Sequence, residues 1–347
     1  MTAEPDAQPR SFRWISEADV CTLMDLQGSI DALERGLALE ADGNAQNMTK
    51  AQTVWAHGSL NVTGAQFVGE GLVGAKVWTN ARGGAAPIVI MHSSEDGRIV
   101  AIVEAFALGQ MRTAALSAVA TKWCALEDAD EMAIMGSGHQ ALPQVAAVAR
   151  VRRLKRVRVW SRTPAHRDAF ARQIRDDFDV EVVSCESVDQ AAKHCPIITT
   201  FTRAREPFLT AEMLSPGTHL NAGGAILPTH AEIAQDVFRR CDRIVCDNLA
   251  QVQNGSRELK EYVNNGGRWD RVIPLCRLVK ERAPRPRDAD ITVYKFMGMG
   301  VADMAAAVEV YQRARAQGLG TDYPHPRRAQ PQLIEAPRAK RDTEDGQ

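Results

Sequence analysis

The sequence contains no stretch of about 18 consecutive apolar residues, which excludes a helix that spans a bilayer. It has no C-x-x-C pair. Its seven cysteines (Cys21, Cys124, Cys185, Cys195, Cys241, Cys246 and Cys276) are odd in number and scattered, so neither a disulfide framework nor a zinc site is expected. They read as reduced thiols of the core, and no metal is expected. A formal net charge of -1 gives no overall attraction for nucleic acid. The opening "MTAEPDAQPRSFRW" lacks the basic-then-apolar order of a secretory leader, and a cytoplasmic location is the expectation. No internal repeat is visible. What is present, 45% hydrophobic and 24% charged residues over 347 positions, is the composition of a globular protein with room for two domains.

After a start that reads as unstructured, Ser16-Glu17-Ala18-Asp19 before an apolar pattern predicts a helix N-terminus. "SIDALERGLALEADG" predicts an amphipathic helix ending at Gly43. A β-rich stretch follows, with "GLVGAKVWT" and "PIVIMHSSEDGRIVAIVEA" as strands and Asp96-Gly97 as a hairpin turn. "FALGQMRTAALSAVATKWCAL" is a long helical connector rich in small residues. From about residue 129 to 295 strand and helix patterns alternate ("EMAIM", "QALPQVAAVARV", "RVRVW", "PAHRDAFARQIRDDF", "VEVV", "SVDQAAKHC", "PIITTF", "THLNAG", "DRIVCD"), which implies a parallel sheet covered on both faces. "VADMAAAVEVYQRARAQGLG" is a closing helix stopped by Gly318 or Gly320. The remainder from Thr321 is rich in proline and charge and is expected to lack structure.

The fold class is therefore α/β: a dinucleotide-binding (Rossmann) parallel-sheet domain, residues 123–298, beside an α+β domain. "EMAIMGSGHQALPQVAAVARV" carries the phosphate motif. Gly136 makes a tight turn after a strand, and Gly138 lets backbone N–H groups and a helix N-terminus approach a pyrophosphate. Where a third glycine is common, the side chain need only be small for helix-on-strand packing, and Ala141 meets that need. The alternative is a glycine turn that binds nothing. At the end of the second strand no acidic residue waits for a ribose 2′-hydroxyl. Ser161, Arg162 and Thr163 stand there instead, two hydroxyls and a guanidinium suited to a 2′-phosphate, so NADP(H) is favoured with NAD(H) as the alternative. The basic run "RVRRLKRVRVW" reads as a solvated face that adds positive potential near that phosphate.

With these segments in place, the chain resembles the ornithine cyclodeaminase/μ-crystallin family from about residue 12 to 320. The matching stretches are "GAKVWTN", "GRIVAIVEA", "MRTAALSAVATK", "MGSGHQA", "VWSRT", "ITTFTRAREPFL", "PGTHLNAGGA" and "VYKFMGMGVADMAAA". That family includes ornithine cyclodeaminases, ketimine and pyrroline-2-carboxylate reductases, an archaeal-type alanine dehydrogenase, and the NADPH-binding μ-crystallin. The resemblance implies a second domain built from both chain ends, residues 1–122 plus 299–320, that binds substrate and forms a homodimer, with 321–347 as a tail.

It also implies site residues. The family lysine corresponds to Lys76 and the family arginine to Arg112, both facing the substrate. A planar guanidinium grips a carboxylate in bidentate fashion, so Arg112 is the expected clamp. Lys76 donates to the carboxylate or delivers a proton to the imine, which is easier if burial lowers its pKa. A further family arginine is matched by Lys50, which keeps the charge and loses the fork. Cofactor contacts are implied for Thr113, for Gly136 through Ala141 including His139 and Gln140, for Ser161, Arg162 and Thr163, for Thr200 and Thr202, for Gly224, and for Lys295 and Met297. His139 is expected to offer its backbone N–H, because a helix N-terminus disfavours an added positive charge. Trp78, His92 and Ile226 line the pocket or pack beneath it.

One departure bears on the reaction. Cyclodeaminases carry an aspartate two residues before the proline of the segment matching "NAGGAILPTHAEI", and here that residue is Ile226. An apolar side chain neither accepts a proton nor holds an ammonium, so cyclisation of ornithine loses its base. A reductase needs less: aligned hydride, a carboxylate clamp and one proton. The expected function is NAD(P)H-dependent reduction of an α-imino acid to an L-amino acid. Ornithine cyclodeamination or amino-acid dehydrogenation is the alternative enzyme reading, and an NADPH and small-ligand binding protein the non-enzymatic one.

Overall fold

Ser11–Ile15 (β1) opens the described chain, which comprises residues 11–333 of a computed structural model apart from positions 83, 328 and 332. This corrects the unstructured start, since residues 11–15 form a strand paired on both sides, with residues 101–103 and with residues 321–324; residues 1–10 lie outside the described ones. Ser16 caps α1 (Glu17–Leu23) reciprocally: its hydroxyl accepts from the Asp19 N–H and the Asp19 carboxylate accepts from the Ser16 N–H. α2 (Leu26–Ala41) starts at an Asp25 cap and is followed by Gly43, whose φ of +77° turns the chain away. Six strands come next: β2 (Ala45–Asn47), β3 (Ala51–Trp55), β4 (Gly58–Phe67), β5 (Leu72–Ala81), β6 (Ile88–Ser93) and β7 (Ile99–Glu104). The β6–β7 turn is made at Asp96-Gly97, with Gly97 at φ +75°. α3 (Phe106–Cys124) then crosses to the second half of the molecule.

That half comprises β8 (Glu131–Met135), α4 (Ala141–Val151), β9 (Arg156–Trp160), α5 (Pro164–Asp177), β10 (Glu181–Ser184), α6 (Val188–Ala192), β11 (Ile197–Thr200), β12 (His219–Ala222), α7 (Gln235–Arg239), β13 (Cys241–Cys246), α8 (Leu249–Gly255), α9 (Arg257–Asn264), β14 (Val272–Pro274), α10 (Leu275–Glu281) and β15 (Ile291–Lys295). Its eight strands are ordered β10-β9-β8-β11-β12-β15-β13-β14 and run parallel throughout. β15, the last of them in the chain, is inserted between β12 and β13, so Lys295 ends in register with Ala222 and Cys246. Parallel strands bring all these ends to one edge, where ligands of such sheets bind.

α11 (Gly300–Gln317) leaves that edge and returns across the first sheet, ending at Gly318 with φ +69°. β16 (Thr321–Pro324) then pairs antiparallel with β1, Ser11 opposite Pro324. The expected tail is thus corrected at its start: Arg13 bonds to Asp322, and Tyr323 stacks on Phe12, which hold residues 321–324 on the sheet edge. Positions from 334 onward lie outside the described residues. The first sheet reads β16-β1-β7-β6-β5-β4-β2, with β3 also on β4, and is parallel only at β1–β7.

Three arginines lock the end of α3. Arg152 donates to the carbonyls of Thr121, Lys122, Ala125 and Leu126, Arg243 to Trp123, and Arg285 to Cys124. Cations here complement the negative helix end and bond to carbonyls at and just past it. The basic run is therefore not a solvated face beside a phosphate. Arg152 is buried as a cap, Arg158 on β9 lies 2.5 Å from Glu131, and most of the run's cations lie before β9 or at its start, at the opposite end of that strand from Ser161. All seven cysteines are free thiols, five of them buried.

Candidate active site

Two elements bring Lys76 to the molecule's centre. β5 turns alternate residues inward, and α11 lies over that face with one acid, Asp303, in a run of alanine, valine and methionine. Asp303 is fully buried. Its Oδ1 lies 2.6 Å from Lys76 Nζ and 2.8 Å from Arg112 Nε, and its Oδ2 accepts from Thr63 Oγ1 at 2.8 Å. Thr63 stands opposite Lys76 in the β4–β5 register. The positive charge of Arg112 and Lys76 holds the Asp303 carboxyl below its ordinary range even though burial opposes this. Burial, then Arg112, brings the Lys76 ammonium down to about 8, with Asp303 pulling the other way. Sequence reasoning missed Asp303; its signal was a single carboxylate inside an otherwise apolar helical stretch, since such a charge is buried only with partners.

Arg112, on α3, is buried without being satisfied. Its Nε approaches Asp303 without the alignment of a hydrogen bond, and its Nη1 has no acceptor among the described residues. The guanidinium carbon sits 5.7 Å from the Phe296 ring centre. Buried donors of this kind await a partner, and a planar carboxylate fits their fork. Trp78 forms the wall between the cations, its ring 4.5 Å from Lys76 Nζ and 6.0 Å from Lys50 Nζ. Burial, then Arg112, also lowers the Lys50 pKa. Lys50, Lys76 and Arg112 are thus brought together as expected. His92 is not with them: its ring faces the Gly97 carbonyl at the β6–β7 turn.

The glycine turn lies at the ends of the parallel strands. Gly136 has φ +117°, and a Cβ there would sit 2.5 Å from the Phe201 carbonyl oxygen, so only glycine fits. Gly138 is exposed with open space about it, and α4 begins behind it with no side-chain cap; the Ala141 N–H is taken by the Gly138 carbonyl and Pro143 has none, so the helix start approaches a ligand through Leu142 and the turn before it. Ala141 is fully buried in the helix-to-strand contact. Ser161 and Ser137 bond side chain to side chain at 3.0 Å, while Arg162 and Thr163 are exposed beyond them. His139 and Gln140 flank the turn, and the His139 carbonyl accepts from Gln110. A cleft of about 410 Å³ opens beside Ser137, Gly138 and His139. A larger hollow, about 490 Å³ around Arg240 and Asp290, lies at the opposite edge of the sheet and is remote from these groups. A pyrophosphate fits the glycine turn on this geometry.

Several expected contacts are already engaged elsewhere. Lys295 is fully buried, 2.6 Å from Glu258 and donating to the Ala225 carbonyl, so its ammonium is closed to a ligand. The hydroxyls of Thr200 and Thr202 both donate to Glu232, and Thr113 donates to Gly109 of its own helix. Met297 is held by its N–H on the carboxylate of Asp247, which also takes the Gly298 N–H. Gly224 is packed against Thr202. Ile226 is 37% exposed just past β12, with no carboxylate in its place.

The chain is 30% identical over 236 residues to the Delta(1)-pyrroline-2-carboxylate reductase of Bacillus cereus, covering 67% of this chain and 72% of that protein. The structure of Thermococcus litoralis Delta(1)-pyrroline-2-carboxylate reductase in complex with NADH and L-proline superposes with a TM-score of 0.84 at 24% identity, over 89% of this chain and 99% of that one. An archaeal alanine dehydrogenase dimer with bound NAD gives 0.84 at 24%, over 90% and 99%. The family model that matches spans residues 13–318, nearly every element from β1 to α11, and on that ground this chain belongs to the ornithine cyclodeaminase/mu-crystallin family.

Proposed function

We propose that the chain reduces an α-imino acid to an amino acid with a nicotinamide dinucleotide as reductant. The observation that carries this is the open fork of Arg112 beside Lys76, at the junction of the two sheets where the β15 end supplies Phe296. The dinucleotide, held at Gly136–Ala141 and Ser161–Thr163, supplies hydride when bound. Arg112 receives the substrate carboxylate. Lys76, oriented by Asp303 and Thr63, carries the proton for the imine nitrogen. Lys50 adds positive charge at the rim. Buried groups held by packed neighbours need little reorganisation as charge moves, which is how such a site lowers a barrier. Ile226 offers no base for the deaminating cyclisation, which favours reduction over it. The Bacillus relative, named for a cyclic imine, supports this substrate class.

NADP(H) is the preferred dinucleotide in this reading, because Arg162 and Thr163 are free at the end of β9 and no acid stands there. A homodimer is supported by the outer face of the first sheet, where Val62, Val77, Ile88, Ile90 and Ile102 are half-exposed neighbours, and by the dimeric archaeal structure. No helix among the described residues is long and apolar enough to cross a membrane.

Arg112→Ala tests the clamp. kcat/KM for a cyclic imine is expected to fall roughly 100- to 1,000-fold, about 3–4 kcal/mol, with NADPH affinity nearly intact. Turnover like that of the unaltered protein would remove Arg112 from the site.

A further inference from the structure

Glu232 takes no part in the chemistry above, yet it is fully buried and five donors converge on it. Its Oε2 accepts from Thr200 Oγ1 (2.9 Å), Gly224 N (2.9 Å) and Ala225 N (3.2 Å), and its Oε1 from Thr202 N (2.6 Å) and Thr202 Oγ1 (2.7 Å). Thr200 and Thr202 belong to the segment leaving β11, and Gly224 and Ala225 to the one leaving β12. The two segments touch with no room to spare: a Cβ on Gly224 would lie 2.4 Å from Glu232 Oε1 and from both N and O of Thr202. Behind them Glu258 accepts from the N–H groups of Glu232 and Ile233, and Lys295, at the end of β15, bridges Glu258 to the Ala225 carbonyl. One carboxylate thus ties the ends of β11 and β12 together, and Lys295 joins the neighbouring β15 end to the same loop.

We infer that Glu232 is a positioning residue that sets the bed for the nicotinamide half of the dinucleotide, acting through the β11 and β12 loops and not by touching the ligand. The inference rests on the dinucleotide reading given above. The strand ends it joins directly are those of β11 and β12, with the β15 end tied to the same loop through Lys295 and the Ala225 carbonyl, whereas Gly138–Ala141 and Ser161–Thr163, which serve the phosphate half, make no bond to it. All five bonds are donated to the carboxylate, so the ionised form is the one these loops are built around; Lys295 and the Thr202 donors work against the upward pull of burial on its pKa. An amide in its place keeps the volume and reverses one end. In either orientation the new NH2 faces a backbone N–H, which leaves buried donors unpaired and the loops displaced.

The test compares Glu232→Gln and the isosteric Thr200→Val, whose hydroxyl is fully buried, with the unaltered full-length protein. Dissociation constants are measured by fluorescence for NADPH and for 2′-phospho-ADP-ribose, which lacks the nicotinamide, and kcat is measured with a cyclic imine. Glu232→Gln is expected to weaken NADPH at least about fivefold and to lower kcat at least about tenfold, with the fragment bound within about twofold. Thr200→Val is expected to show the same selectivity at roughly two- to fivefold, and it carries the test if the glutamine variant does not fold. Equal weakening of NADPH and fragment would mean a structural role alone. Unchanged NADPH binding and kcat would overturn the inference as well. If the unaltered protein binds NADPH but reduces no imine, the reductase reading fails while the NADPH-to-fragment comparison still decides the role of Glu232.

Discussion

At the scale of single residues, Lys76 makes the sharpest claim. In the proposed reaction it gives up its proton to the imine and so must be charged when substrate arrives. Its pKa is lowered to about 8, so the ammonium is present below that pH and lost above it. Imine reduction is then expected to decline as pH rises through about 8, and the reverse oxidation, which needs the free amine, to rise over the same range; a kcat/KM profile flat to pH 10 would contradict Lys76 as the donor. Asp303 supports the charge on Lys76. Asp303→Asn removes the anion and should move the alkaline limb to lower pH, while destabilising the fold by about 3–5 kcal/mol, because two buried cations lose their partner. A pH series of kcat/KM together with a denaturant melt checks both. Arg162→Ala has its own outcome: a much larger loss of NADPH than of NADH affinity, whereas equal losses would contradict a 2′-phosphate site there. Lys76, Arg112 and Lys50 were legible as cations at matched positions. Asp303 was not, because a helix with small residues all round does not reveal which of its sides meets a sheet.

At the scale of elements, strand and helix periodicity identified most of the fold. The Ser16 cap, the Asp96-Gly97 hairpin and the alternation from β8 to β13 follow from local chemistry, and they stand where the residues place them. What local chemistry does not contain is partnership over distance. β16 has the proline-rich composition of a tail, and it is a strand only because β1 offers it an edge. Arg152 sits in a run of like charges, and it is buried only because α3 ends against it with its carbonyls free. Lys295, expected near the cofactor, is held by an acid 37 positions earlier in the chain, Glu258. Arg152→Ala tests the helix lock. Loss of its charge-assisted bonds to the four carbonyls at and just past the end of α3 should lower stability by about 2 kcal/mol or more in a thermal melt, with the kinetic constants of the folded protein little changed. A variant as stable as the parent would reduce that cap to a surface contact.

At the scale of the molecule, two sheets with different tasks meet at α3 and α11. The mixed sheet supplies Lys76, α3 supplies Arg112, and α11 supplies the acid that both cations face. The parallel sheet supplies a glycine turn and the β11 and β12 ends tied by Glu232. Neither half holds a complete site, and the chain's route explains why: β15 runs through the middle of the parallel sheet, and α11 then carries Asp303 back onto β4 and β5. The proposed substrate class rests on what this junction offers, a buried guanidinium fork beside a lysine that can carry a proton. The most direct test is oxidation of NADPH, followed at 340 nm, with pyrroline-2-carboxylate and piperideine-2-carboxylate, set beside pyruvate and glyoxylate with and without ammonia or methylamine. Rapid turnover of the cyclic imines without added amine is the expected result. Bound NADPH with no oxidation by any of them would contradict imine reduction and leave a binding protein in its place.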